Sequence, residues 1–175
     1  VILSIFILAS LSGASEISEN AIKMPIIMYH SVLKDKSSQN DYVISPDLFE
    51  SDLKYFQENG YTTVTVNDLI DYVYSDKALP DKCVMLTFDD GYYNSYKYVF
   101  PLLKKYNAKA VISPVAKFSE DFTATGEENA NYGHLLKKNI KEMYDSGLVE
   151  FQNHSYNMHT LTPRKGIGKK YKESD

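Results

Sequence analysis

The segment Cys83-Val84-Met85-Leu86-Thr87-Phe88-Asp89-Asp90-Gly91 decides the fold and marks the candidate site. Its first six residues are rich in apolar, β-branched and aromatic types, which predicts a buried strand, and Gly91 allows the abrupt turn that ends it. Two carboxylates then stand side by side at the strand end. Each disfavours the other's ionisation, so the pair suits a site where one binds a cation and the other accepts a proton. The competing interpretation of Asp89-Asp90-Gly91 is a turn with helix-capping aspartates.

Strand-like and helix-like patterns alternate along the chain around this segment. The strand patterns cover residues 24–30, 62–66, 83–88, 108–113 and 148–152. Such alternation is typical of a parallel sheet covered by helices. A closed barrel of this kind needs roughly eight strands and about 250 residues. We therefore expect an α/β fold in the form of a partial, distorted (β/α) barrel that is incomplete at the C-terminus.

Two helices in the first half of the chain are predicted from their end signals. Ser45-Pro46-Asp47 combines a capping hydroxyl, a proline at the first helical position and an acid in the first turn. Gly60 predicts the end of that helix. Asn67-Asp68 is expected to cap the second helix, which runs to Tyr74.

The second half of the chain contains one interrupted and one regular helix pattern. The pattern from 96 to 103 includes Pro101, where we expect a kink or a break. Residues 134–146 predict a further helix that ends at Gly147. The acidic segment 119–130 between them is interpreted as an excursion over the surface.

The first residues look like the apolar core of a signal peptide. The run from Val1 to Ala9 is short for a membrane span and is followed by small residues. We interpret 1–14 as a signal-peptide remnant whose start precedes the sequence, 15–23 as a linker and 24–175 as the functional domain. The alternative for the first segment is an uncleaved membrane anchor. Export is expected, so the protein would be secreted or associated with the cell envelope.

Composition limits the remaining function classes. With 175 residues, 43% of them hydrophobic, the chain can bury one sizeable core, and its net charge of -4 gives no reason to expect a nucleic-acid partner. We expect one domain that acts as a monomer. The single Cys83 cannot form an intramolecular disulfide. The lysine-rich stretch 163–175 is interpreted as a solvated helix or linker in preference to a basic patch.

Three histidines are candidates for the site. His30 ends the first predicted strand, although a lone histidine at a strand end is often structural. His154 and His159 are five positions apart, about 140° around an ideal helix, so they cannot share a metal from one helix. From a loop after a strand they can, and Asp90 would complete three ligands with positions open for water, as zinc or a similar divalent ion prefers. Chance spacing is the alternative for the pair.

Together these motifs resemble the polysaccharide deacetylase family of carbohydrate esterases, which share a nodulation-type deacetylase domain. The resemblance runs through Thr87-Phe88-Asp89-Asp90-Gly91 and through His154-Ser155 with His159. It implies that Asp89 is the catalytic base, while Asp90, His154 and His159 bind a divalent metal ion, with zinc favoured. A bacterial polysaccharide would be the partner.

One departure from the commoner family pattern is informative. The two histidines are separated by five positions instead of four, which resembles the branch that deacetylates poly-N-acetylglucosamine in biofilms. In that branch a Met-Tyr-His strand precedes the first motif, and Met28-Tyr29-His30 matches it, which implies that His30 is the general acid. Later family motifs have no counterpart before Asp175, so residues beyond it are expected to complete the site.

The leading hypothesis is therefore an exported, metal-dependent hydrolase that removes acetyl groups from N-acetylglucosamine units of an envelope or matrix polysaccharide. The alternative is a non-catalytic envelope protein that uses a deacetylase-like fold to hold glycan. If the first hypothesis is right, the ligand atoms of Asp90, His154 and His159 should converge. The strands ending at Phe88 and Gln152 should also lie in one parallel sheet, with the site residues at its C-terminal edge.

Overall fold

The computed structural model describes residues 22–159. The expected signal-peptide remnant, all but the last two residues of the expected linker, and the lysine-rich stretch 163–175 lie outside that range. Within it, no helix combines the length and the apolar character needed to cross a bilayer.

Seven strands and five α-helices follow one another along the described residues. The strands are β1 (Ile26–Tyr29), β2 (Ser31–Val32), β3 (Val43–Ile44), β4 (Thr62–Val64), β5 (Cys83–Asp90), β6 (Ala110–Pro114) and β7 (Val149–Phe151). The helices are α1 (Pro46–Glu58), α2 (Val66–Tyr74), α3 (Phe100–Tyr106), α4 (Ala116–Thr125) and α5 (Lys137–Asp145). A short 3-10 turn (Lys36–Ser38) and a π-helical turn (Ser95–Val99) complete the order.

β5 is the centre of the main sheet. The strand order is β1-β5-β6-β7, β4 pairs with the first residues of β5, and all these pairings are parallel. β5 and β7 therefore belong to one parallel sheet, as the sequence predicts. The α/β class with helices covering a parallel sheet is confirmed. β2 and β3 form a separate two-stranded parallel sheet that the sequence analysis did not predict.

The two faces of β5 bury different sets of side chains because successive residues of a strand point to opposite faces. Val84, Leu86 and Phe88 face the larger core, which contains apolar residues of α1 and α3. Cys83 and Met85 face a smaller cluster on the other side. Burial of both faces explains why this strand reads as a continuous apolar run.

Three helix predictions are borne out in their main features. Ser45 caps α1, since its side chain accepts a hydrogen bond from the Leu48 N–H at 3.1 Å. Pro101 lies in the first turn of α3, directly after the π-helical turn, so the predicted break is present. The helix expected at 134–146 is present as α5, but it begins only at Lys137.

Two predictions in these regions were wrong. The second helix is capped by Thr65 and not by Asn67-Asp68, because Asp68 accepts from the Thr65 N–H while Thr65 Oγ1 accepts from the Asp68 N–H. The acidic segment from 119 is not a surface excursion throughout, since its first part belongs to α4. Phe118 and Phe122, one helical turn apart, pack against His134 and give that helix an inner face.

Candidate active site

The end of β5 has an unusual backbone. Asp90 has a φ of 65° and Gly91 a φ of 68°, both in the left-handed region that most side chains avoid. A Cβ atom at Gly91 would lie 2.5 Å from the Cβ of Pro114. Only glycine fits this close approach between the turn and the end of β6, and the turn directs the Asp90 side chain to the C-terminal edge of the sheet.

The end of β6 also holds the loop that follows β7. The His154 N–H donates to the Pro114 carbonyl at 3.2 Å, and the Ala116 N–H donates to the Ser155 carbonyl at 3.0 Å. Val115 and Ser155 form an isolated parallel bridge that extends the pairing of these two strands. Because Pro114 touches both the turn and the loop, this register brings His154 next to Asp90.

Asp90, His154 and His159 converge at this edge. The Nε2 atoms of His154 and His159 lie 3.6 and 3.5 Å from Asp90 Oδ1. The two rings are 5.1 Å apart and nearly perpendicular. One ligand atom from each residue falls within 4.8 Å of the other two. The predicted convergence of these three side chains is therefore present.

The donor set fits a divalent metal ion. Asp90 is 4% exposed, and among the described residues neither its Oδ1 nor the buried His154 Nε2 has a hydrogen-bond partner. A buried carboxylate oxygen without a partner is costly, and so is a buried imidazole nitrogen. An ion between the three side chains would satisfy both atoms, and one carboxylate with two imidazoles is a common ligand set for zinc.

Asp89 and His30 lie beside this cluster but outside it. Asp89 Oδ2 is 4.0 Å from His30 Nε2, and both side chains are about one-fifth exposed. His30 directly follows β1, which pairs with β5 up to the partners Tyr29 and Phe88. The exposed ring of Tyr42 packs edge-on against His30 at 5.3 Å. The structure thus brings all five predicted site residues to the C-terminal edge of the sheet.

Two further residues contact Asp90 that the sequence analysis did not single out as site residues. His134 Nδ1 lies 3.0 Å from the Asp90 carbonyl, and its ring stacks on Tyr92 at 4.9 Å. Burial lowers the pKa of His134, which favours a neutral ring that donates from Nδ1. Burial, together with the Asp90 carboxylate, raises the pKa of Tyr92, so its hydroxyl stays protonated. No local pattern marks His134, because its contact with Asp90 joins residues 44 positions apart.

Comparison with known proteins identifies relatives of this chain. The family model described as polysaccharide deacetylase matches residues 76–173, a range that includes Asp89, Asp90, His154 and His159. YxkH of Bacillus subtilis (strain 168), which carries a provisional polysaccharide deacetylase name, is 34% identical over 85% of this chain and 49% of its own length. A poly-beta-1,6-N-acetyl-D-glucosamine N-deacetylase of Staphylococcus aureus (strain MRSA252) is 33% identical over 70% of this chain and 40% of its own length.

A solved structure shows the same fold. A de-N-acetylase from Aggregatibacter actinomycetemcomitans superposes with a TM-score of 0.68 at 33% identity, over 78% of this chain and 56% of that one. The chain spans about half or less of the length of the curated relatives it matches. Since the family model covers more than half of the 175 residues, the chain belongs to the polysaccharide deacetylase family.

Proposed function

We propose that this protein is a metal-dependent hydrolase that removes N-acetyl groups from a bacterial polysaccharide containing N-acetylglucosamine. The observation that carries the proposal is the cluster of Asp90, His154 and His159, with two buried atoms lacking partners, beside a second carboxylate outside the cluster. The Staphylococcus aureus relative, named for poly-beta-1,6-N-acetyl-D-glucosamine, supports the substrate class. The substrate implies a site of action outside the cell or in its envelope.

In this proposal Asp90, His154 and His159 hold the ion, with zinc favoured by the ligand set. A bound divalent ion would polarise the amide carbonyl of the substrate and make a water molecule acidic enough to attack near neutral pH. The protein supplies the geometry. Gly91 and Pro114 direct Asp90 to the edge of the sheet, while His134 and Tyr92 hold its backbone and its side chain.

Asp89 is the proposed general base. It is adjacent to a metal ligand in sequence, yet its carboxylate lies outside the three-residue cluster and remains partly accessible. A carboxylate in this position can accept the proton of the attacking water. His30, 4.0 Å from Asp89, is the proposed general acid that gives a proton to the leaving amine. The two groups would thus divide the proton transfers between them.

Asn substitutions at the two adjacent aspartates test this division of roles. In the full-length protein, Asp89→Asn should keep the metal and lose at least 100-fold in turnover, on the order of a general-base contribution. Asp90→Asn should lose both metal and turnover, because an amide is a weaker ligand than a carboxylate. Metal content by elemental analysis and acetate release from an N-acetylglucosamine oligomer are the two measurements.

His30→Ala completes the test. We expect retained metal with turnover reduced by roughly 100-fold, since the leaving amine would lack its proton donor. The base assignment would be contradicted if Asp89→Asn matched the unmodified protein in both metal content and turnover. Unchanged turnover of His30→Ala across pH would remove His30 from the mechanism. A glycan-binding protein without activity would need neither the ion nor Asp89, so binding of the oligomer without acetate release would favour that alternative.

A further inference from the structure

A buried amide joins the chain that follows the two aspartates to the segment that follows His30. Asn94 is fully buried and lies three residues after the turn at Gly91. Its Oδ1 accepts a hydrogen bond from the Val32 N–H at 3.1 Å, and its Nδ2 donates to Ser31 Oγ at 2.8 Å. The same Nδ2 also donates to the Ala130 carbonyl at 3.1 Å. The carbonyl oxygen and both amide hydrogens of this side chain are therefore in use.

The partners of Asn94 are the two residues that follow His30. The backbone pairing of β1 with β5 ends at Tyr29, one residue before His30. Ser31 and Val32 then pair with β3 in a separate sheet, which has no ladder to β5. Among the described hydrogen bonds, those of Asn94 are the ones that join this segment to the chain leaving β5. They act where the main sheet no longer fixes the backbone.

We propose that Asn94 is a positioning residue that holds His30 beside Asp89. Its hydrogen bonds fix the backbone on the C-terminal side of His30, while the β1 ladder fixes it on the N-terminal side. The backbone of His30 is then fixed on both sides, which keeps its imidazole 4.0 Å from the Asp89 carboxylate. The effect on turnover rests on the proposed function, whereas the effect on the position of His30 does not.

The chemistry of the side chain explains why an amide suits this position. Val32 N–H needs an acceptor, while Ser31 Oγ and the Ala130 carbonyl can each take a donor, and Asn94 supplies both kinds of group. Asn94→Ala would leave Val32 N–H buried without a partner, so the segment would shift to find water. A displacement of about 1 Å at a catalytic group can cost up to 100-fold in rate.

The test uses the full-length, zinc-loaded protein. Asn94→Ala should retain its metal, lose roughly 10- to 100-fold in kcat with KM little changed, and shift the imidazole ¹⁵N resonances of His30 more than those of His154 and His159. Ser31→Ala removes one of the hydrogen bonds and should produce a smaller loss. The double variant should be no worse than Asn94→Ala alone, because the two residues act through the same contact.

Thr63→Val is the matched control. Thr63 is also buried, and its Oγ1 accepts the Lys109 N–H at 2.6 Å, but it lies at the opposite end of the sheet from the site. It should lower stability as Asn94→Ala does and leave kcat and the His30 resonances unchanged.

Two outcomes would overturn the proposal. One is an Asn94→Ala protein whose His30 resonances do not move. The other is a double variant whose fold-loss in kcat is the product of the losses in Ser31→Ala and Asn94→Ala. If Asn94→Ala does not fold, the same resonances in Ser31→Ala decide the question, since their failure to move would equally refute it. If His30→Ala keeps full turnover, the acid role is wrong, yet the resonances still decide whether Asn94 positions His30.

Discussion

Gly91→Ala should lower the free energy of unfolding more than alanine at the other left-handed glycines of residues 22–159. At those glycines, Gly60, Gly126 and Gly147, an added Cβ would meet no atom within 4 Å. Two separate terms contribute. The first is the left-handed backbone at φ 68°, which disfavours a residue with a Cβ by about 1–2 kcal/mol. The second is steric, because the new Cβ would lie 2.5 Å from Pro114 Cβ and 2.7 Å from its Cα.

The control separates these two terms. Gly147 has a similar φ of 72°, and a Cβ there would meet no atom within 4 Å. Gly147→Ala should therefore show the backbone term alone. Gly91→Ala adds the cost of overpacking, typically about 1–3 kcal/mol, so the total is about 2–5 kcal/mol. Because Pro114 is part of the contact and its carbonyl accepts from the His154 N–H, relief of the clash would also move a proposed metal ligand.

Urea unfolding of both variants measures the difference, provided that the slope of the transition is unchanged. Zinc titration of the same samples should show weaker binding for Gly91→Ala and unaltered binding for Gly147→Ala. Equal losses of stability in the two variants would refute the steric argument. Unaltered zinc affinity in Gly91→Ala would show that the contact with Pro114 does not set the ligand geometry.

Two further predictions concern charge. Asp90→Asn should make the metal-free protein more stable, by about 1–2 kcal/mol, because it removes the negative charge of a buried carboxylate whose Oδ1 has no partner. Thermal unfolding in EDTA checks this, and added zinc is expected to raise the Tm of the unmodified protein but not that of the variant. A metal-free variant no more stable than its parent would show that the carboxylate is satisfied without the ion. Burial would raise the pKa of Asp68, but hydrogen bonds from Thr65 and Lys109 outweigh it and the pKa is lowered from 3.8. The depressed pKa gives stability above pH 3.8 that is lost as the pH falls through the folded-state value. The free energy of unfolding of the unmodified protein should therefore exceed that of Asp68→Asn by about 1 kcal/mol at pH 6, and the difference should shrink in acid. The control is Asp71→Asn, which breaks an exposed ion pair with Lys77 and should change the free energy of unfolding little at either pH. A gap that persists unchanged at pH 3 would contradict the ionic origin of the effect.

The main elements could be predicted because local signals and burial agree. The continuous apolar run of β5 reflects a strand covered on both faces, and Ser45 with Pro46 marks the start of α1 without help from tertiary contacts. The proximity of the proposed site residues could be predicted for a related reason. Parallel strands end at the same edge, so polar residues at or just after the ends of β1, β5 and β7 were expected near one another.

Most of the remaining features depend on contacts between distant segments. The cap of α2 is the exception, because Thr65 and Asp68 are only three positions apart; it was missed because the predicted strand ran to Val66, whereas β4 ends at Val64. The first part of the acidic segment is helical in α4 because Phe118 and Phe122 pack against His134. The position of His134 follows in turn from its contact with Asp90. The hydrogen bonds of Asn94 span 62 and 63 positions to Val32 and Ser31. A single sequence contains no local pattern for such pairs.

In the proposed reaction, the strand order would also fix the direction in which the substrate lies. β1 and β6 pair with opposite edges of β5, so His30 and the histidines after β7 flank the two aspartates from opposite sides. An amide is not symmetrical, because its nitrogen leaves while its carbonyl oxygen gathers charge. In the proposed reaction the nitrogen and its sugar ring point towards β1, and the carbonyl oxygen points towards β7. A reversed amide, with nitrogen and carbonyl exchanged, would fill the same space and offer His30 no atom to protonate.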